Sequence, residues 1–413
     1  MATSGKYKYN ATANDIITET LGLVGAYTPG ESIDASESAD VLRTLNMMLK
    51  MWQGQGLGLW LNKEIYLFLA NAQASYEIGP MGDHCAITAV KTELAAAAAN
   101  GATSITIDAT TGFGNTFDRD GIVTAVTMAA AGAITLTGAL VAAGVATLSG
   151  NRRILVYAAG NESGRTFSVV GQDAAGVAVT ESITGPNAGT VYSTNSFETI
   201  TSITIDAASA GNFEIGQVGD PIGIELDNDT LHWTFIAGAL STTPSLVTAL
   251  TAAAAVDNHV YSYTSKAPRP VEIIECRLHR ADDIEVPLIA GGRQDYARLS
   301  NKTSTGTPNQ VFYDKQLDEG VLYVWLVPTD MQDYIKLSAK LPIQIMENLT
   351  DDFEVAQECL LLIAWNLAVL IYPKYHDGRF IDTATALMAE RMLDDAKTSD
   401  SENVPITFRI VRR

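Results

Sequence analysis

The residues in this chain able to do chemistry are scattered, and the first question is whether any of them form a constellation. Gly54-Gln-Gly56-Leu-Gly58 has the glycine density of a phosphate-binding loop. It follows a helical pattern, however, and does not join a strand to a helix, so it reads as a helix stop. The five histidines, His84, His232, His259, His279 and His376, lie far apart, and none has a second ligand at metal spacing. Glu225, Asp227, Asn228 and Asp229 offer oxygen atoms suited to calcium, as do Asp118 and Asp120 before Gly121. Both sets fall short of a full calcium loop and read as hairpin turns. The acid pairs Asp282-Asp283, Asp351-Asp352 and Asp394-Asp395 are adjacent in sequence. Glycoside hydrolysis needs two carboxylates facing each other across a cleft, which adjacency does not supply. No serine occupies a nucleophile-elbow pattern. The expectation is a non-enzymatic protein without cofactor or metal.

Composition narrows the class. Forty-seven acidic against 27 basic residues give a net charge of −20 over 413 residues, which disfavours a general nucleic-acid binder. An acidic wall would still let DNA slide past without gripping it. Hydrophobic content of 47% is enough for a real core. Three cysteines, Cys85, Cys276 and Cys359, are too few for a disulfide framework and read as small apolar residues. The first fifteen residues have no apolar signal core, so the expected compartment is a cytosol unless another export route acts.

The elements that position these residues fall into blocks. Ala13 to Tyr27 reads as a helix ended by Pro29 and Gly30. The stretch from Ser36, with Ser36 as its N-terminal signal, places Val41, Leu42, Leu45, Met48, Leu49 and Trp52 on one face of a second helix. Glu64–Leu69 and Ser75–Ile78 read as two strands of a ribbon. From about Ala86 to Thr264 lysine nearly vanishes and short alternating runs recur at roughly ten-residue spacing, the pattern of an all-β region. Strand-like Ser104–Asp108 finds its continuation only at Val218–Trp233, so the intervening Ile122–Ile215 reads as a nested sandwich. Aromatic residues and arginine return after Ser265, with strands expected at Pro268–Leu278, Ile284–Leu288, Asn309–Asp314, Val321–Val327 and Tyr334–Leu337. Asp351–Tyr372 reads as a helix apolar on most sides, with Asp351 and Asp352 at its start and Pro373 at its end. Its length is near that of a membrane span, but Glu354, Gln357, Glu358 and Asn366 interrupt it, so a packed helix is expected. Asp382–Ala396 is a last amphipathic helix, and Val404–Arg413 an alternating, basic strand or arm.

The fold class expected is α+β: a helical core with a β-ribbon built from both chain ends, plus a large inserted all-β region. The divisions are 1–85 for N-terminal helices and ribbon, 86–121 with 218–265 for a small β module, 122–217 for an immunoglobulin-like sandwich, 266–400 for the returning core, and 401–413 for an arm.

The order of motifs resembles the podovirus head-to-tail adaptors, or tail accessory factors. GES at Gly30–Ser32, LNMMLKMW at Leu45–Trp52 and QGLGLW at Gln55–Trp60 are similar to that family's N-terminal region. RPVEI at Arg269–Ile273, Tyr296, Gly306-Thr307-Pro308, Tyr313, LYVWLVP at Leu322–Pro328 and EVAQECLLLIAWNLA at Glu354–Ala368 resemble its C-terminal half. The likeness covers about Ala13–Gly82 and Lys266–Met392. Ser163–Val191 with Phe197–Asp206 resembles an immunoglobulin-like module of phage structural proteins, and Gly219–Ile236 a β element found inside such adaptors. The resemblance implies a homo-oligomeric ring of about twelve copies beneath the portal protein. That ring would extend the DNA channel, pass double-stranded DNA without reading its sequence, help retain the genome and seat a downstream tail or nozzle protein. The location implied is the virion, with the host cytoplasm during assembly and no membrane. The family's portal-gripping region maps onto Thr407, Phe408, Arg409, Ile410, Val411, Arg412 and Arg413. Two other classes are a virion-carried peptidoglycan hydrolase and a surface- or glycan-binding module resting on the insertion.

Overall fold

The structure is a computed structural model, and it describes residues 9–27, 33–55, 57 and 62–399. Its first finding is a correction. The chain is mostly β, 39% strand against 19% helix, and not a helical core carrying a ribbon. Among the described residues there are five α-helices: α1 (Ala13–Val24), α2 (Ala35–Gly54), α3 (Arg293–Ala297), α4 (Leu360–Tyr375) and α5 (Thr383–Ser399). The chain divides into two compact units. One takes Met1–Asn62 together with Lys340–Arg413, and the other is Lys63–Ala339.

In the first unit α1 and α2 start where side chains satisfy their open N–H groups. Thr12 and Asp15 form a reciprocal capping box at α1, and Gly25, at φ 74°, closes its other end. Gly25 therefore ends the helix ahead of Pro29 and Gly30, which lie outside the described residues. The cap of α2 is Asp34, which accepts the Ser36 N–H at 2.7 Å; Ser36, expected as the cap, sits in the first turn. The apolar stripe of α2 does what its period demands: Val41, Leu45, Met48, Leu49 and Trp52 are all buried against Ile17 and Leu21 of α1 and Ile363, Leu367 and Ile371 of α4. Asn46 clasps the backbone of Met346 in both directions, donating at 2.8 Å and accepting at 3.0 Å, which straps the segment before α4 along α2.

Helix α4 begins later than its pattern indicates, at Leu360 after a single tight turn at Gln357–Cys359, and it runs two residues past Pro373. The Asp351 carboxylate closes a turn by accepting the N–H groups of Glu347 and Asn348, each at 2.8 Å. Its carbonyl accepts the Ala13 N–H, and Thr12 and Asp352 pair as an antiparallel bridge. Acids that read as a helix start are thus spent on a strand-like contact with the residues entering α1.

The second unit holds four sheets. The expected ribbon does not form. Asn62–Phe68 lies between Tyr334–Lys340 and Cys85–Ala86 in one five-stranded sheet, whereas Ser75–Ile78 pairs with Gly320–Trp325 in a four-stranded one. The intervening turn is tied elsewhere, the Ala72 N–H reaching the Pro328 carbonyl at 3.0 Å. Each strand gains a partner from residues after 310.

A second five-stranded sheet runs Thr230–Phe235, Pro221–Leu226, His259–Ser262, Val90–Ala96, Thr106–Ile107. The chain leaves it after Ile107 and re-enters at Pro221. Between these points lies an eight-stranded sheet dominated by the long strands Val145–Asn161 and Asn187–Ile205, which pair along their length with several register shifts. Phe167 and Phe213 stand on strands three places apart in that sheet, yet their rings meet edge-on at 5.0 Å. The sheet therefore curls around its own core, filled by Val156, Phe197, Ile200 and Ile203.

Candidate functional site

Three places in the structure put side chains in unusual surroundings. The first is the seam where the chain crosses between the second five-stranded sheet and the eight-stranded one. Arg152, on Val145–Asn161, donates from Nη2 to Asp220 Oδ1 at 2.7 Å and to the Thr264 carbonyl. Their side chains are 2% and 0% exposed. Thr116, on the outgoing crossing, donates to the same Asp220 oxygen at 2.8 Å, and Asp220 itself sits on the return crossing. One buried ion pair thus ties both crossings to the strand Val145–Asn161 on one side and to the residues just past His259–Ser262 on the other. Among the described residues Arg152 Nε and Asp220 Oδ2 have no hydrogen-bond partner, and burial pushes the guanidinium below its ordinary range against the pull of Asp220. Beside it Gln217, also buried, accepts the Ser149 N–H and donates to the Thr116 carbonyl.

The second is an aromatic cluster of Phe68, Trp233, Tyr261 and Tyr263. His84 stacks flat on Trp233 at 3.9 Å and 7°, with Nδ1 2.7 Å from the Tyr263 hydroxyl. Burial, with the Lys266 charge adding, takes His84 down to about 3, so the ring is neutral at ordinary pH. A packed neutral imidazole explains the geometry.

The third is the outer side of α4. The stretch Gln357–Tyr375 is long and apolar enough to cross a membrane, yet 39% of it is buried. Leu362, Ile363, Leu367 and Ile371 face the core. Leu361 and Leu370 are 52% and 45% exposed, and Trp365 and Val369 are only half-buried. Leu361, Trp365 and Val369 fall on one side at helical spacing, so an apolar strip faces outward, while Tyr372 packs against the core and Leu370 lies half a turn round the helix from Leu361. Met47 and Met51 on α2 and Leu387 and Met388 on α5 are exposed in the same unit. The apolar face is anchored by polar ties: Lys374 Nζ reaches Asp40 at 2.7 Å and Thr44 at 2.9 Å, and Asn366 donates to the Ala389 carbonyl of α5 at 3.1 Å.

The chemistry-bearing residues of the sequence are placed as follows. Gly54 is the last residue of α2, while Gly56 and Gly58 lie outside the described residues. Asp227 accepts the Ala255 N–H at 2.8 Å and the Asn258 amide at 3.1 Å, and Asn228 accepts the Thr230 hydroxyl. Glu225 takes the His259 N–H at 2.9 Å and its ring at 3.0 Å. Burial works against ionisation there, but the hydrogen bonds from His259 and Gln332 hold this carboxylate below its usual range. These oxygens are occupied by the turn they build. Burial raises Asp118 above the usual carboxylate range, against the hydrogen bond from the Asp120 backbone and with the Asp120 charge adding. His279 stacks on Tyr334 at 4.5 Å, and His376 Nε2 lies 2.9 Å from the Val24 carbonyl. Among the described residues, no three of His, Cys, Asp and Glu gather as a metal set. Thr407, Phe408, Arg409, Ile410, Val411, Arg412 and Arg413 lie outside the described residues.

The seam was invisible in sequence because Arg152 and Asp220 are 68 positions apart. The α4 strip did carry a signal, in the apolar residues that spread around the whole helix. No family model, no curated protein and no solved structure matches this chain.

Proposed function

We propose that this chain is a virion structural protein: a head-to-tail adaptor subunit that joins about twelve copies in a ring beneath the portal. The observation that supports this most is the outward strip of α4. An apolar helix face left in water is unfavourable by about 25 cal/mol per Å², so a helix that keeps Leu361, Trp365 and Val369 outward is suited to being covered by another surface. A closed ring supplies such a surface on every subunit. The net charge of −20 suits a channel that DNA traverses without adhering. Lys374 and Asn366 tie α4 to α2 and α5 through side chains that lipid would disfavour, which argues for protein as the cover.

The test is mass photometry of the purified chain, alone and mixed with the portal ring of the same virus. The expected result is little self-association alone and about a dozen copies added to each portal. A chain that ignores the portal contradicts the proposal, and clearing of peptidoglycan by the purified chain replaces it with a hydrolase.

A further inference from the structure

A cavity of about 310 Å³ opens in the helical unit at the start of α4. Its apolar wall is Phe353, Val355 and Leu360, and its rim carries Tyr9, Asp352 and Gln357. Leu360 belongs to the helical core and Phe353 and Val355 pack against it, so the hollow has a firm floor. Tyr9, Asp352 and Gln357 are exposed, so it is reached from solvent. Asp352 is the one charged side chain among the described residues that line it. A cavity of roughly 150 Å³ already takes a benzene ring, so this one has room for an aromatic side chain.

The far end of α4 displays such a side chain in water. Phe380, in the loop between α4 and α5, is 86% exposed. That loop is tied down. The Gly378 N–H reaches the Pro373 carbonyl at 2.9 Å, with Gly378 at φ 77°, and the Arg379 N–H reaches the His376 carbonyl at 2.9 Å. His376 Nε2 is itself 2.9 Å from the Val24 carbonyl. Asp382 closes the loop by accepting the Ala384 and Thr385 N–H groups at 2.9 and 3.0 Å. A ring presented on a tied loop gives up little freedom when it docks. Arg379, its neighbour in sequence, is exposed. Of the loop's acids, Asp377 and Asp382, the second is engaged at the start of α5.

Phe380 is out of reach of the cavity in its own chain. From Leu360 to Tyr375 the helix rises about 22 Å, whereas the five residues from Tyr375 to Phe380 span at most about 18 Å even when extended. A second copy has no such limit. We infer that Phe380 of one copy seats in the α4 cavity of the next, with Arg379 against Asp352. Knob and hole lie at opposite ends of one helix, so the contact is head-to-tail: each copy gives one and receives one. Contacts of that kind repeat around a closed ring or along a filament. The outward strip of Leu361, Trp365 and Val369 lies between the two ends on the same helix. The contact stands on the cavity and the loop alone, and the adaptor reading adds only the closing of the ring beneath a portal.

The experiment is photo-crosslinking of the concentrated full chain with benzoylphenylalanine in place of Phe380, which keeps an aromatic ring there, and the linked peptides are identified by mass. The expected product is a dimer joined from position 380 to residues 352–360 of another copy. Its yield should be several-fold above that with benzoylphenylalanine in place of exposed Val256. Arg379→Glu should lower the yield several-fold, and adding Asp352→Arg to that chain should restore it, which damage to folding would not do. A yield equal to the control, one unmoved by Arg379→Glu, or links chiefly to residues 376–382 of the other copy overturns the inference. The two readings fail separately. A chain that gives the link but ignores the portal overturns the adaptor reading and leaves this contact standing. Copies that join the portal without the link overturn this contact and leave that reading standing.

Discussion

The Arg152–Asp220 seam and the outer side of α4 each hold groups in the wrong medium, charge in a dry interior and apolar side chains in water. The seam answers its problem inside the chain. Arg152 has Asp220 and the Thr264 carbonyl, Asp220 has Thr116, and both crossings are held by the same few atoms. The α4 strip has no such answer among the described residues: the inner side of the helix is closed by α1 and α2, while Leu361 remains exposed and Trp365 and Val369 half-exposed. The contrast separates a part of the molecule that is finished on folding from a part suited to being finished by association.

Substitutions sharpen that contrast, and the seam should give the largest effect. Asp220→Ala strands a buried guanidinium, and loss of one partner of such a pair costs about 3–5 kcal/mol. Urea unfolding should show this, and replacing both residues by leucine should cost less than the single change. A single-mutant cost below about 1 kcal/mol would show the seam to be wet. On the inner side of α4, Leu367→Ala should cost about 2–5 kcal/mol by the same measurement, since Leu367 is fully buried.

The aromatic cluster adds a pH dependence. His84 is held down to about 3 by burial and Lys266, against an ordinary value of 6.5. Between these values the unfolded chain binds a proton that the folded chain refuses, so stability is full above pH 6.5 and falls as pH drops through that window. The expected loss between pH 7 and pH 5 is about 2 kcal/mol, absent in His84→Phe. Equal pH slopes for the two proteins would contradict it. The smallest stability effect belongs to the outer strip. Leu361→Ser should move unfolding by no more than about 0.5 kcal/mol while preventing incorporation into the portal-bound ring. If it destabilises the chain as Leu367→Ala does, the inner and outer sides of α4 are not different.

The same contrast explains how far the sequence could be read. The stripe from Val41 to Trp52 depends only on local period, and those side chains pack in the core as that period implies. The strands at Gln310–Asp314 and Gly320–Trp325 are joined by a short loop, and their pairing was equally local. The helices at both ends carry the strongest periodic signal and so read as the frame, with the short strands between them as an addition, whereas strands are the larger share of the structure. Ser75–Ile78 pairs with Gly320–Trp325, and nothing near either segment announces the other. Asp351 and Asp352 carry the charge of a helix start but are used as turn and bridge, a choice made by residues 11–13. Arg152 and Asp220 are ordinary residues in sequence and become a clamp only when two crossings meet.

The most direct measurement is hydroxyl-radical footprinting of Leu361 and Trp365 in the chain alone and in the portal-bound ring proposed for it. The account predicts that labelling of both falls several-fold on assembly, while exposed Val177, in the turn between Thr166–Gln172 and Ala178–Thr184, provides a reference within the same chain. If Leu361 and Trp365 stay as reactive in the ring as in the free chain, the outer strip of α4 is not the surface that assembly covers.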